Sequence, residues 1–279
     1  MVKIVTDSTS DITPEMAREL GVTVAPLWVN FGGESYRDRL DIQPAELFYR
    51  LAKDKVFPTT GAPPAGAFAE AYDKLAEETS EVLALTISAK LSATYESAIE
   101  GLELRKRKDC RVEVIDTLTT IAGQALLVMI AAEEAKLGAS LDQIMDVIRK
   151  FIPKTHTRIC FDTLEYLHQG GRIGTAQAFM GSVLKINPII GIIDGLVEGI
   201  ARTRSREKAL DWLYNFVKGF DNIRALAVEQ ATTPDKAEAF AQRLSSIFPM
   251  ENIRRFVFGP VVGAHTGPHA IGVALVEQV

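Results

Sequence analysis

Cysteine is nearly absent from the chain: Cys110 and Cys160 are the only two in 279 residues. They match no metal-ligand spacing, and each neighbours a predicted strand. Two free thiols in a reducing compartment is the plain reading. Long apolar runs are also missing. The longest, Ala125 to Ala132, is far too short to span a bilayer. The N-terminus, Met1-Val2-Lys3-Ile4-Val5, meets Asp7 at once and has neither the apolar core nor the cleavage site of a signal peptide. A cytoplasmic protein with no integral membrane segment is therefore expected. There is no excess of positive charge either, since the formal net charge is −5. Nucleic acid is accordingly not an expected partner. The one basic run, Arg105-Lys106-Arg107-Lys108, is followed by Asp109 and reads as the cationic end of a helix. Neither Gly-x-x-x-x-Gly-Lys nor Gly-x-Gly-x-x-Gly occurs, so the chain is not expected to bind ATP by itself. Internal repeats and low-complexity segments are missing too.

What is present is a regular alternation of strands and helices. Val2 to Thr6 suits a strand buried on both faces. Thr13-Pro14 opens a helix that Gly21 closes. Val22 to Val29 reads as a second strand, and Pro44 opens a helix running through Leu51. Phe57 to Gly66, rich in Pro, Gly and Thr, reads as a loop before a helix from Ala67 to about Glu78. Glu81–Ser88 and Arg111–Thr117 read as strands. Ser92–Arg107 and Thr119–Leu137 read as helices, and Ser140 with Gln143 forms a capping box at the next helix start. This alternation predicts an α/β fold with a parallel sheet covered by helices. After Pro153 the pattern changes. Pro188–Ile193 and Leu196–Arg202, joined by Asp194-Gly195, form a hairpin signal. Strands at Ile223–Glu229, Arg254–Phe258 and Ile271–Val276 are expected with helices at Ser205–Lys218 and Pro234–Ile247. The length suits two domains, 1–155 and 156–279, the second a mixture of antiparallel strands and helices.

Four polar segments interrupt this pattern at expected strand ends or loops. Thr6-Asp7-Ser8-Thr9-Ser10-Asp11 follows the first strand, where open α/β sheets place their ligand crevice. It reads equally well as a hydroxyl-rich turn. Pro58-Thr59-Thr60-Gly61-Ala62-Pro63 is the second. The third, Ile87 to Ala98, places Ser92 where a helix begins. That is either an anion site or, as local grounds favour, a simple cap. The fourth is Val262 to His269. His265 and His269 have the spacing of metal-binding helices, but Gly267-Pro268 argues against a helix between them, and no metal is expected. Two further stretches expose arginines. Leu164 to Ile173 ends a helix at Gly170-Gly171 and presents Arg172. Arg202, Thr203, Arg204 and Arg206 follow the hairpin. Either set is a cleft rim for an acidic group or plain surface.

These segments, in order and across the whole chain, resemble the DegV family. The matching pieces are Thr6 to Asp11, Thr59-Thr60 before the proline-rich loop, and Leu91 to Ala98. They continue through Gly170 to Ile173, Arg204 before Lys208-Ala209-Leu210, and Gly263 to Pro268. The resemblance implies a two-domain fold with a fatty acid buried between the domains. It also implies a lipid-binding subunit of a bacterial fatty acid kinase. Such a subunit presents the acyl carboxylate to a separate ATP-binding kinase subunit, and the acyl phosphate feeds phospholipid synthesis. By the same resemblance Thr60, Ser92 and His265 hold the carboxylate, and Gly61, Ala93 and Thr94 are additional ligand-site positions. Arg172 and Arg204 match kinase-facing rim arginines, and no cofactor is implied. Gly61 stands where the family often has Ser, Ala93 where it has Gly, and His269 at the second Gly of a Gly-Pro-Gly. A carboxylate taken from water needs replacement hydrogen bonds, which two hydroxyls and an imidazole supply. The tail needs an apolar channel, for which a helical Phe179–Ile190 stretch is one candidate lining. The competing reading is a serine esterase or acyl transferase using Ser92 and His265. Against it, Ser92 lacks a Gly-x-Ser-x-Gly elbow and no acid is evident to orient His265.

Overall fold

The computed structural model describes residues 1–54, 56–181 and 186–278. The first strand, β1 (Lys3–Asp7), runs directly into a single 3-10 turn at Ser8–Ser10. Helix α1 (Pro14–Leu20) starts at Thr13, whose side chain accepts the Met16 amide, and ends at Gly21 with φ 72°. The expected strand from Val22 to Val29 is two strands in different sheets: β2 (Val22–Ala25) and β3 (Trp28–Phe31). Pro26 lies between them and can donate no ladder hydrogen bond. Then come β4 (Glu34–Arg37) and α2 (Pro44–Asp54). Within the expected Phe57–Gly66 loop lies a third small strand, β5 (Thr59–Gly61), paired with β3.

Helix α3 (Ala65–Leu75) leads to β6 (Glu81–Thr86). Helix α4 (Thr94–Leu104) begins two residues later than expected; its N-cap is Ala93, without a side-chain cap. Its far end is closed by the basic run: Lys108 Nζ donates to the Leu102 and Glu103 carbonyls at 2.8 and 2.9 Å. Next are β7 (Arg111–Asp116), α5 (Ile121–Lys136) and α6 (Leu141–Phe151), the last with the Ser140–Gln143 capping box. The second half contains β8 (Thr155–Cys160), α7 (Glu165–Gln169), β9 (Asn187–Ile193) and β10 (Leu196–Thr203). It continues with α8 (Arg206–Lys218), β11 (Ile223–Gln230) and α9 (Pro234–Leu244). It closes with β12 (Ile253–Val257), α10 (Pro260–Thr266) and β13 (Ile271–Glu277). The Phe179–Ile190 stretch is not one helix. Phe179 ends a 3-10 turn, Asn187–Ile190 is strand, and residues 182–185 lie outside the described residues.

Three sheets result among the described residues. The first is parallel, in the order β2-β1-β6-β7. The second is mixed, in the order β10-β9-β8-β13-β11-β12, with only β11 and β12 parallel. The third is a small antiparallel ribbon, β4-β3-β5. Helix α5 packs on strands of both larger sheets and is buried on nearly every side. That explains its apolar sequence all round, where a surface helix would show one stripe. One core cluster accordingly joins Ile4, Leu83 and Leu85 of the first sheet to Ala227 and Ala274 of the second through Leu126 and Ile130. Cys110 and Cys160 are buried free thiols. No helix among the described residues is long and apolar enough to cross a membrane.

Candidate functional site

The carboxyl ends of β1 and β6, the ribbon strand β5, the start of α5 and helix α10 converge on one cavity of about 290 Å³. The mixed sheet closes the opposite side. Five of the expected ligand positions line it, Thr60, Gly61, Ser92, Ala93 and His265, joined by the expected rim residue Arg172. Thr94 is fully buried behind Ser92, and Arg204 is exposed away from the cavity.

Thr60 and His265, 205 residues apart, meet at 2.8 Å between Oγ1 and Nε2. Pairing of β5 with β3 sets Thr60, opposite Val29. Helix α10, not the expected loop, sets His265. Gly267 ends it with φ 71°, so His265 and His269 do not share a helix. A side chain at Gly267 would strike the Tyr166 ring, 2.3 Å from Cδ2. Burial, then the charge of Arg172, lowers the His265 pKa to about 4, so the imidazole is neutral at pH 7. Its Nδ1 is buried without a partner. A Cβ at Gly170 would lie 2.1 Å from that nitrogen, so the first glycine of the Gly170-Gly171 pair makes room for the ring.

Ser92 Oγ bonds Thr94 Oγ1 at 2.8 Å. It caps no helix, and the first turn of α4 keeps uncapped N–H groups beside the cavity. Ser92 is not bonded to His265, and among the described residues no carboxylate orients His265 Nδ1. The nucleophile–base–acid arrangement of a serine hydrolase is therefore not assembled here. Arg172 is held by the carbonyls of Leu91 (3.2 Å) and Gly170 (2.9 Å). The three departures from the family pattern are accommodated. A Cβ at Gly61 would meet Trp28 at an ordinary 3.7 Å. Ala93 has φ −71°, and His269 is not among the positive-φ residues.

Of the apolar lining, only Ile190 falls in the Phe179–Ile190 stretch named from the sequence. Ile159 lies on β8 and Phe161 just past its end, Ile190 and Ile192 lie on β9, and Val197 stands on β10. Their alternate spacing on each strand is the period-two signal of one sheet face. On the other side lie Leu27, Ile87 and Ile121. Ile121 has φ 52°, costly for a β-branched residue and of the kind that binding sites retain.

Residues 1–278 match the sequence model of the DegV family of uncharacterised proteins. The chain belongs to the DegV family. A DegV domain-containing protein of Deinococcus radiodurans is 35% identical over 278 residues, covering 98% of both chains. One from Caldanaerobacter subterraneus is 33% identical over 281 residues, 99% of both. The fold is that of solved DegV proteins. A Thermus thermophilus DegV family protein described for fatty acid binding superposes with TM-score 0.91 at 34% identity over 99% of each chain. Bacillus subtilis DegV, described as a fatty acid binding protein, gives 0.88 at 27% identity, again over 99% of each. A stearic acid-binding protein of Eubacterium ventriosum gives 0.89 at 27% identity, over 99% of this chain and 98% of that one.

Proposed function

We propose that this chain is a non-enzymatic carrier that binds one long-chain fatty acid in the central cavity. It presents the carboxylate to a separate ATP-binding kinase subunit, which converts it to an acyl phosphate for phospholipid synthesis. The observation that carries the reading is a single cavity with a Thr60–His265 pair on one wall and Ile, Val and Phe side chains on the other. Relatives with this fold that are described as fatty acid binding support it.

In this reading each ligand hydroxyl is supported from behind. Neutral His265 donates Nε2–H to Thr60 Oγ1, which leaves the Thr60 proton for the carboxylate. Thr94 donates to Ser92, which leaves the Ser92 proton free in the same way. Backbone N–H groups at Ala93 and Thr94, and the close approach allowed by Gly61, complete the head-group contacts. The tail runs over the mixed sheet, where each buried methylene contributes about 0.8 kcal/mol. We assign residues 1–155 and 156–279 as the two domains, with the ligand between them. The parallel sheet lies wholly in the first and the mixed sheet runs from β8 onward, which supports this. Arg172 and Arg204 form the rim that meets the kinase. Such a partnership draws on cytoplasmic ATP and places the chain in the cytoplasm.

Mass spectrometry of lipid extracted from the purified protein tests the central claim, with about one fatty acid per chain expected. Protein that is empty and also fails to take up added fatty acid overturns it.

A further inference from the structure

The hydroxyl-rich segment after β1 ends at Asp11, to which the fatty-acid reading assigns no role. Asp11 is fully buried, with φ 56°. Its Oδ1 accepts from the Gly259 amide at 2.7 Å and from Arg39 Nη2 at 2.9 Å. Glu229, on β11, is 1% exposed, and its Oε2 accepts from the Ala122 amide at 3.2 Å. Among the described residues, the remaining oxygens, Asp11 Oδ2 and Glu229 Oε1, receive no hydrogen from any other group. Yet the two carboxyls lie within hydrogen-bond reach of each other. Two acceptor oxygens can bond only when one carries a hydrogen. A single proton therefore satisfies both orphaned atoms at once.

The charges around the pair agree. Arg39 faces it, and it also faces Asp38. Asp38, itself pushed up to about 7 by burial, accepts from Ser8 at 2.7 Å. Burial and the charge of Asp11 likewise hold Glu229 well above the ordinary carboxylate range. Three buried carboxyls around one guanidinium cannot all be ionised cheaply.

Of the backbone groups this cluster holds, Val261 lines the cavity and Ala122 follows the lining residue Ile121. The Gly259 amide, bonded to Asp11, and the Val261 amide, 3.4 Å from Asp38 Oδ1, open helix α10. His265 stands on α10 within two turns. The Ala122 amide, bonded to Glu229, opens α5 next to strained, cavity-lining Ile121. We propose that Glu229 is a positioning residue: its carboxyl donates a proton to Asp11 Oδ2, and this hydrogen bond seats the start of α10 and, through it, His265 against Thr60. The effect on ligand rests on the fatty-acid reading above; the proton and the seating of His265 do not.

The test uses the full chain. Infrared difference spectra at neutral pH should show a protonated-carboxyl band that Glu229→Gln removes. Nitrogen NMR should then follow His265 upward from neutral pH, where its own imidazole stays neutral. In the wild type the His265 signal should move as the shared proton leaves. In Glu229→Gln, and in Asp11→Asn as a second variant should the first fold poorly, an amide hydrogen takes the proton's place, and only the smaller movement that Asp38 passes on through the Val261 amide should remain. Over the same range the wild-type preference for palmitate over its methyl ester should fall about tenfold, and the variants should hold theirs. Infrared spectra with no band lost overturn the proposal, as does a His265 profile that runs parallel in wild type and both variants. If neither palmitate nor its ester binds at any pH, the fatty-acid reading fails. The two spectroscopic arms then still decide the shared proton and the seating.

Discussion

The two walls of the cavity are built by different rules. The polar wall is assembled from short loops and helix ends: β5 supplies Thr60, the turn before α4 supplies Ser92, and α10 supplies His265. Each side chain there has a supporting partner, Thr94 behind Ser92 and His265 behind Thr60. The apolar wall comes from regular strands, β8, β9 and β10, through residues of one sheet face. Directional chemistry needs atoms placed individually, and loops anchored at several points provide that. Burial of methylenes is non-directional, so any closely packed sheet face serves. The contrast predicts that head-group and tail recognition can be altered separately.

The largest effect should come from the tail. Affinity for saturated acids should rise about fourfold per added carbon, from about 0.8 kcal/mol per methylene. It should level or fall once the cavity is full, because close-packed interiors resist overfilling. Calorimetry below each acid's micelle concentration measures the slope, and an affinity independent of length breaks the comparison. Next in size is a pH effect on the polar wall. The His265 pKa lies near 4 in the folded chain against 6.5 ordinarily. Between those values the unfolded chain binds more protons, so stability rises with pH across the window and is fully present above it. The difference in unfolding free energy between wild type and His265→Gln should therefore change by on the order of 3 kcal/mol from pH 6.5 down to 4. Parallel denaturation curves would place the imidazole in water instead.

Single head-group substitutions come third. Thr60→Val, Ser92→Ala and His265→Ala should each weaken binding of the acid by about 1.5–3 kcal/mol, the scale of a hydrogen bond to a charged group. The methyl ester should lose less, and equal losses for acid and ester would contradict a carboxylate-reading wall. The smallest effect on affinity should come from Arg204→Glu, since Arg204 is exposed and away from the cavity. Its binding curve should overlay the wild type while acyl-phosphate formation with a cognate kinase falls. Arg172→Glu should disturb both, because Arg172 lines the cavity and its charge acts on His265.

Local signals were legible wherever one residue decides a conformation. Thr13 and Gly21 bound α1, Ser140 and Gln143 start α6, and Asp194-Gly195 turns the β9–β10 hairpin, with φ of 48° and 80° at the turn. The misread segments depend on distant partners. β5 is three residues inside a Pro- and Gly-rich stretch, and it is a strand only because β3 runs beside it. Helix α10 holds three glycines and a proline within or next to its seven residues, poor local helix formers. Its first amides are held by Asp11 and Asp38 from more than 200 residues away. Ser92 looked like a helix cap because serine often is one, whereas here its hydroxyl is taken by Thr94.

By itself the sequence determined the α/β alternation, most helix ends and the hairpin. Each of those follows from periodicity, turn chemistry or a motif held within a short stretch. Only the tertiary structure decided that Thr60 meets His265, that Gly170 makes room for the ring, and that one face of β8 to β10 is the apolar wall. It also decided that Asp11 and Glu229 confront each other in the dark between two sheets. These are contacts between segments far apart in the chain, whose energies exist only once packing has removed water and fixed the distances.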